Sequence, residues 1–173
     1  MPMGEIKGPE SVKVFAGVLY RDEAVLERAV AELRKRLGKI AVKSPVYDFT
    51  FTDYYEKEMG AGLKKVFIGF EAPADPGRLA EIKVATNEME DRFSVPSGGV
   101  RKRAVNIDPG YVDSAKVVLA TTKDRGHRIY LGSGVYGEVT LIYSGGRWQP
   151  LPWTYPDYRT SLASRFFTGL RNL

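Results

Sequence analysis

There is no cysteine in the chain, which removes disulfides, thiolate nucleophiles and zinc knuckles from the candidate chemistry. Apolar runs are short, and none approaches the roughly 20 residues that a membrane-spanning helix needs. The opening stretch, M-P-M-G-E-I-K-G-P-E, lacks the apolar core of a signal peptide, so the expected location is the cytoplasm with no membrane partner. Histidine occurs once, at His127, leaving one side chain that titrates unperturbed near neutral pH.

What is present fits one domain spanning residues 1–173, because a chain of 173 residues buries a self-sufficient core. Hydrophobic residues at 43% and charged residues at 27% are ordinary for a globular protein and exclude wholesale disorder. The formal charge of +5 and pI near 9.3 suit attraction to phosphates of nucleic acid, nucleotides or sugar phosphates. A lysine and arginine excess equally fits a solvated surface, including that of a thermophile protein.

Read in order, residues 1–10 form a glycine- and proline-rich lead-in. A strand at Val12 to Tyr20 is apolar on both faces and suits the centre of a sheet. Asp22 caps a helix carrying Leu26, Val30, Leu33 and Leu37 on one face and ending at Gly38. A strand at Ile40 to Lys43 stops at Pro45, and Tyr47, Phe49 and Phe51 alternate with polar residues as in another strand. After a strand at Leu63 to Glu71, Asp75 and Pro76 open a second helix that buries Leu79, Ile82, Met89 and Phe93 and ends before Pro96, Gly98 and Gly99. Strands are expected at Ala104 to Ile107 and, after an Asp108-Pro109-Gly110 turn, at Lys116 to Thr121. Two hairpins follow, His127 to Tyr143 around Gly132, Ser133 and Gly134, and one turning at Gly145 and Gly146 into an edge strand, Arg147 to Gln149, next to Pro150. A final helix buries Leu162, Phe166 and Leu170. The order predicts an α+β fold: a ferredoxin-like strand-helix-strand unit with two helices on one face of a mostly antiparallel sheet, extended by C-terminal hairpins and a C-terminal helix.

The run Gly132-Ser133-Gly134-Val135-Tyr136-Gly137 satisfies G-x-G-x-x-G, whose glycines let backbone amides approach a phosphate. A dinucleotide fold would need a helix next, and Val139 to Tyr143 is β-branched and aromatic, so that version fails. The match also resembles the glycine-rich loop of protein kinases, yet no V-A-I-K, H-R-D or D-F-G element accompanies it. A Walker loop fails because Glu138 stands where lysine is required. Thr121, Thr122 and Lys123, with Arg128 nearby, offer hydroxyl donors and positive charge to an anion. His127 is the candidate general acid or base. With a three-residue hairpin loop, Arg128 faces Glu138 and His127 shares a face with Ile129 and Leu131; a two-residue loop brings His127 opposite Thr140. Magnesium needs few protein ligands and leaves little spacing signature; Asp108, Glu138 and Asp157 are the candidates. Tyr54, Tyr111, Tyr155 and other aromatics suit either base stacking or cross-strand packing.

F-T-D-Y-Y-E-K-E-M-G, N-I-D-P-G-Y, L-A-T-T-K-D-R-G-H-R-I-Y-L, Y-G-E-V-T-L-I-Y and W-T-Y-P-D-Y-R together resemble an uncharacterised prokaryotic family. It is a domain of unknown function whose members are sometimes loosely labelled GTP-binding protein. The resemblance spans nearly the whole chain and implies a free-standing single-domain cytoplasmic protein. It implies no reaction, and the sequence has neither G-x-x-x-x-G-K-[ST] nor N-K-x-D. Its distinctive polar positions fall at Asp53, Tyr54, Glu58, Asn106, Asp108, Tyr111, Lys116, Thr121, Lys123, His127, Arg128, Glu138, Tyr155, Asp157 and Arg159.

The reading that unites these residues is a mixed-charge pocket, electropositive with acidic groups at its margin, for a nucleotide or other phosphorylated small molecule, open to hydrolase or transferase chemistry. Lys123, Arg128 and Arg159 would meet the anion, with Tyr54, Asn106, Tyr111, Lys116, Thr121, Thr122 and Tyr155 around it. Asp108, Glu138 and Asp157 would hold Mg2+ or position the cations, and His127, Asp108 and Glu138 would serve catalysis. Two alternatives are a nucleic-acid-binding module using Arg101, Lys102, Arg103 and exposed tyrosines, and a structural protein whose edge strand near Arg147 recruits a partner.

Overall fold

The computed structural model describes residues 4–173. Of the lead-in, residues 1–3 lie outside the described residues and residues 4–11 have no regular secondary structure. Strand β1 (Val12–Tyr20) leads into helix α1 (Glu23–Leu37), whose first turn is capped by the Asp22 carboxylate accepting from the Ala24 amide. Strands β2 (Ile40–Lys43) and β3 (Tyr47–Asp48), the one-turn helix α2 (Glu56–Met59) and strand β4 (Lys64–Ala74) follow. A turn of 3-10 helix, Pro76–Arg78, capped by Asp75, enters helix α3 (Leu79–Phe93). Next come a small hairpin of β5 (Val95–Ser97) and β6 (Val100–Lys102), then β7 (Val105–Val112), β8 (Lys116–Thr121), β9 (Ile129–Gly132), β10 (Val135–Ser144) and β11 (Arg147–Pro150). Helix α4 (Ser161–Arg171), capped by Thr160, closes the chain.

The fold is α+β. Its large antiparallel sheet runs β11-β10-β8-β7-β1-β4-β2, with β3 beside β4 and β9 beside β10. Alternation along β1 decides the layers. Val14, Ala16, Val18 and Tyr20 point to the face covered by α1 and α3, where they meet Leu26, Leu33, Ile82 and Met89. Phe15 points to the other face, against Phe166, Phe167 and Leu170 of α4. Leu162 is only partly buried at the margin of that cluster. No helix among the described residues is long and apolar enough to cross a membrane.

Three expectations need correction. Phe49 and Phe51 do not alternate on a strand: β3 ends at Asp48, paired with Lys64 at the very start of β4, and after one further bond, from the Phe49 amide to the Leu63 carbonyl (2.8 Å), the ladder stops. The two rings instead lie 5.7 Å apart. Arg101 and Lys102 belong to the separate β5–β6 hairpin, and the next strand begins at Val105.

The third correction is the largest. Asp108-Pro109-Gly110 is not a turn but the middle of β7, paired with Gly17, Ala16 and Phe15 of β1. On its other side β7 pairs with β8 only through Gly110↔Leu119, Tyr111↔Val118 and Val112↔Val117. The next position is Pro109, which has no N–H to give a ladder, and there the two strands part. Beyond that point β8 stays with β10, at Ala120↔Gly137 and Thr121↔Tyr136. The sheet therefore opens between β7 and β8.

Gly110 makes the last shared rung possible. A Cβ there would lie 2.3 Å from the Val118 carbonyl oxygen and 2.6 Å from Phe15 Cζ, well inside contact distance. Gly110→Ala should cost on the order of 3 kcal/mol, read as a lower urea midpoint at unchanged slope; an unchanged midpoint would contradict this packing.

Candidate functional site

The opening between β7 and β8 is the mouth of a cleft of about 710 Å³. It passes through the sheet. Lys83, Asn87, Glu90 and Asp91 of α3 line one side, and Tyr155, Pro156, Asp157 and Tyr158 of the link before α4 line the other. Asn106 and Asp108 of β7 form one wall, Leu119 to Lys123 of β8 and its following turn form the opposite wall, and Phe49, Phe51, Tyr54 and Tyr55 supply rings. Lys83 demonstrates the gap: from the helix side it donates to the Ile107 carbonyl (3.2 Å) and pairs with Asp108 (3.4 Å), whose side chain belongs to the opposite face of β7.

The buried charges are paired. Lys65 donates to Asp157 at 2.6 Å, and Tyr47 donates to the same oxygen at 3.0 Å. Lys65 lies among the rings of Phe49, Phe67 and Tyr158, each within 5.4 Å, and the missing side chain of Gly17 leaves room for it. Arg103 forks onto Glu58 (2.7–3.0 Å) and donates to Asn106 Oδ1 (2.7 Å), while Asn106 Nδ2 donates to Asp108 (2.8 Å). Burial alone would raise the Asp108 carboxyl, but Lys83 and Lys65, with hydrogen bonds from Asn106 and Lys83, bring it below its ordinary value. Glu58 is held low by its Arg103 hydrogen bonds. Burial keeps the Tyr158 hydroxyl protonated far above its usual range, and that oxygen has no hydrogen-bond partner among the described residues.

Glu90 departs from this balance. It is 6% exposed, accepts from the Ile107 amide at 2.6 Å, and meets Arg103 only at 3.6 Å. Burial pushes its pKa up to about 7, with Lys83 the strongest opposing influence.

Of the expected site residues, the fold brings Tyr54, Asn106, Asp108, Thr121, Thr122, Lys123, Glu138, Tyr155 and Asp157 to the cleft wall. His127, Arg128, Arg159, Tyr111 and Lys116 are not on it. His127 stacks on Trp153 (4.8 Å, 16°) and lies 2.7 Å from Glu138 Oε2. Arg128 spends its donors on Glu138 (3.0 Å), the Lys123 carbonyl and Tyr155 Oη. Arg159 ties down the carbonyls of Leu151, Pro152 and Thr154. Tyr111 packs with Leu79 and Val118, and Lys116 pairs with Asp113. The cleft is mixed in charge, with carboxylates and cations together on its walls. Asp108, Glu138 and Asp157 each answer to a different cation, and among the described residues no group of three or more acidic or histidine side chains is placed to hold a metal.

The β9–β10 turn explains the His127 geometry. Ser133 and Gly134 are the two turn residues, both with positive φ, and Gly132 pairs with Val135. A bulge then places Tyr130 opposite Tyr136 and Ile129 opposite Gly137. One extra residue thus restores the Arg128–Glu138 contact that a plain two-residue loop would lose.

Lys65, Lys83 and Glu90 escaped the sequence reading, and Arg103 entered it only as part of a basic patch for nucleic acid. The available signal was spacing: Lys83, Asn87 and Glu90 recur at helical intervals beside the apolar stripe of α3.

Because Glu90 titrates near 7 when folded and near 4.5 otherwise, its contribution to stability is present at acid pH and is lost as pH rises through about 7. Glu90→Gln should therefore gain on the wild type by on the order of 3 kcal/mol between acid and mildly alkaline pH. Urea unfolding at both ends of that range measures this; a pH-independent difference would contradict the buried, weakly partnered acid.

No curated protein and no solved structure matches the chain. One family model does, over residues 10–173, and its description names no ligand. That span includes every wall of the cleft, and the chain belongs to the family described as Domain of unknown function (DUF4416).

Proposed function

We propose that the cleft binds a nucleotide or another planar, phosphate-bearing small molecule, with the phosphate at Thr121, Thr122 and Lys123 and the ring against the tyrosines. The observation behind this is Lys123. Lys65, Lys83 and Arg103 each have a carboxylate within 4 Å, whereas Lys123, among the described residues, has none. It donates instead to Tyr54 Oη at 2.9 Å, lowering that phenol's pKa, and lies 4.7 Å from the same ring's centre. A cation beside two threonines and uncompensated by protein is suited to a ligand's anion.

In this reading one or two of Asp108, Glu138 and Asp157 would hold a magnesium ion shared with the ligand's phosphates, and the ion would supply charge neutralisation there. His127 is off the cleft wall, so in a hydrolase or transferase step it would take or give a proton only through Glu138, 2.7 Å away on the wall. The β1-α1-β2-β4-α3-β7 run, with strands ordered β7-β1-β4-β2, serves as a ferredoxin-like, single-domain frame for the site. A nucleic-acid interface at Arg101 to Arg103 has less behind it, because Arg101 is tied to Ser94 and Arg103 to Glu58.

Thermal unfolding with nucleoside phosphates and sugar phosphates, with and without magnesium, tests the reading. The midpoint should climb with ligand concentration, and Lys123→Ala should weaken binding by roughly tenfold or more. A midpoint indifferent to every phosphate would overturn it.

A further inference from the structure

The walls of the cleft are rich in acceptors whose protein donors are already used. Glu90 is the clearest case. One oxygen takes the Ile107 amide; the other has no hydrogen bond from the described residues. Every cation near it is engaged elsewhere. Arg103 spends its guanidinium on Glu58 and Asn106, Lys83 donates to the Ile107 carbonyl and Asp108, and the Asn106 amide is turned to Asp108. Asn87, one helical turn before Glu90 on the same cleft wall, has no hydrogen bond among the described residues.

The undonated Glu90 oxygen is not among the fully buried unpaired atoms and so is open to the cleft, and sealing it there without a donor would be costly. Water meets that need in the free protein, and a ligand that displaces the water must bring donors of its own. A phosphate cannot do this, since it offers acceptors and negative charge. The α3 end of the cleft and the Lys123 end therefore call for opposite chemistries in one occupant.

We infer that the α3 end, built from Glu90 and Asn87, is a recognition subsite for an amino or amidine nitrogen, so that the ligand carries an N–H donor there and its phosphate at the other end. This rests on the phosphate reading for the ligand's far half only. Ionised Glu90 is the form that accepts the N–H bond, and its pKa near 7 is set by burial and Asp108, which raise it, against Lys83, the Ile107 amide and Arg103, which lower it. Binding should accordingly strengthen as pH rises and should release a proton.

Isothermal titration of the full chain with nucleoside monophosphates bearing an exocyclic amino group (adenosine, cytidine) and lacking one (uridine, inosine), together with ribose phosphate and the free nucleosides, separates the two ideas. An amino-bearing probe should bind best, with affinity rising roughly tenfold from about pH 6 to about pH 8. Glu90→Gln, whose amide oxygen still accepts from Ile107, should flatten that profile, and Asn87→Ala should reduce the preference for amino-bearing probes. Amino-bearing nucleosides that bind as well as their monophosphates would support the nitrogen subsite and sink the phosphate reading. Amino-free probes binding equally well, a Glu90→Gln profile like the wild type's, or no binding by any probe would overturn the subsite.

Discussion

One missing backbone hydrogen decides the shape of this protein. Pro109 sits in β7 where the ladder to β8 would need its next donor, and the ladder ends after three rungs. On the other side β7 continues along β1 from Lys13 to Tyr20, so the strand itself is not broken. The consequence is local: β8 follows β10, β7 follows β1, and the sheet admits a cleft through its middle. Gly110, pressed against Phe15 and the Val118 carbonyl, sets how close the strands come before they separate.

That opening exposes the polar side of an otherwise apolar core, and the charges there have settled into pairs. Lys65–Asp157, Lys83–Asp108 and Arg103–Glu58 neutralise one another at the cost of desolvation, an arrangement that favours specificity of geometry over net stability. Two groups stand outside this exchange, Lys123 at the rim and Glu90 at the helix side. A cleft whose charged groups are paired except at two chemically opposite ends has a direction, and the proposals for ligand and subsite follow from it. Arg128, Arg159, Trp153 and the bulged hairpin lie behind the walls, fixing Glu138, His127 and the Tyr155 link in place.

Much of the framework was legible from local signals. The Asp22 cap, the Gly38 stop, the apolar β1 and the Gly145–Gly146 turn each state their own geometry within a few residues. The edge position of β11 followed from Pro150. The D-P-G-Y motif misled because proline and glycine report a missing donor and a missing side chain equally well in a turn and at a strand's last rung. Phe49 and Phe51 alternated in sequence, yet the ladder to β4 gives out at Phe49. The site was harder still. Its pairs join residues 45 and 92 positions apart, Arg103 to Glu58 and Lys65 to Asp157, and nothing in local spacing says that Arg103 is spent or that Lys123 is free. The motif segments did converge, but the cations expected to meet an anion were, except for Lys123, those that hold the walls.

The central claim is that the gap opened by Pro109 is where this protein meets its ligand. Backbone amide chemical-shift mapping during titration with an amino-bearing nucleoside monophosphate addresses it most directly. The account predicts perturbations confined to the β8 end around Leu119 to Lys123, to Asn87 through Asp91 of α3, to Asn106 and Asp108, and to Tyr54 and Tyr55. Shifts concentrated on the β5–β6 hairpin or the β11 edge, with those amides unmoved, would contradict it.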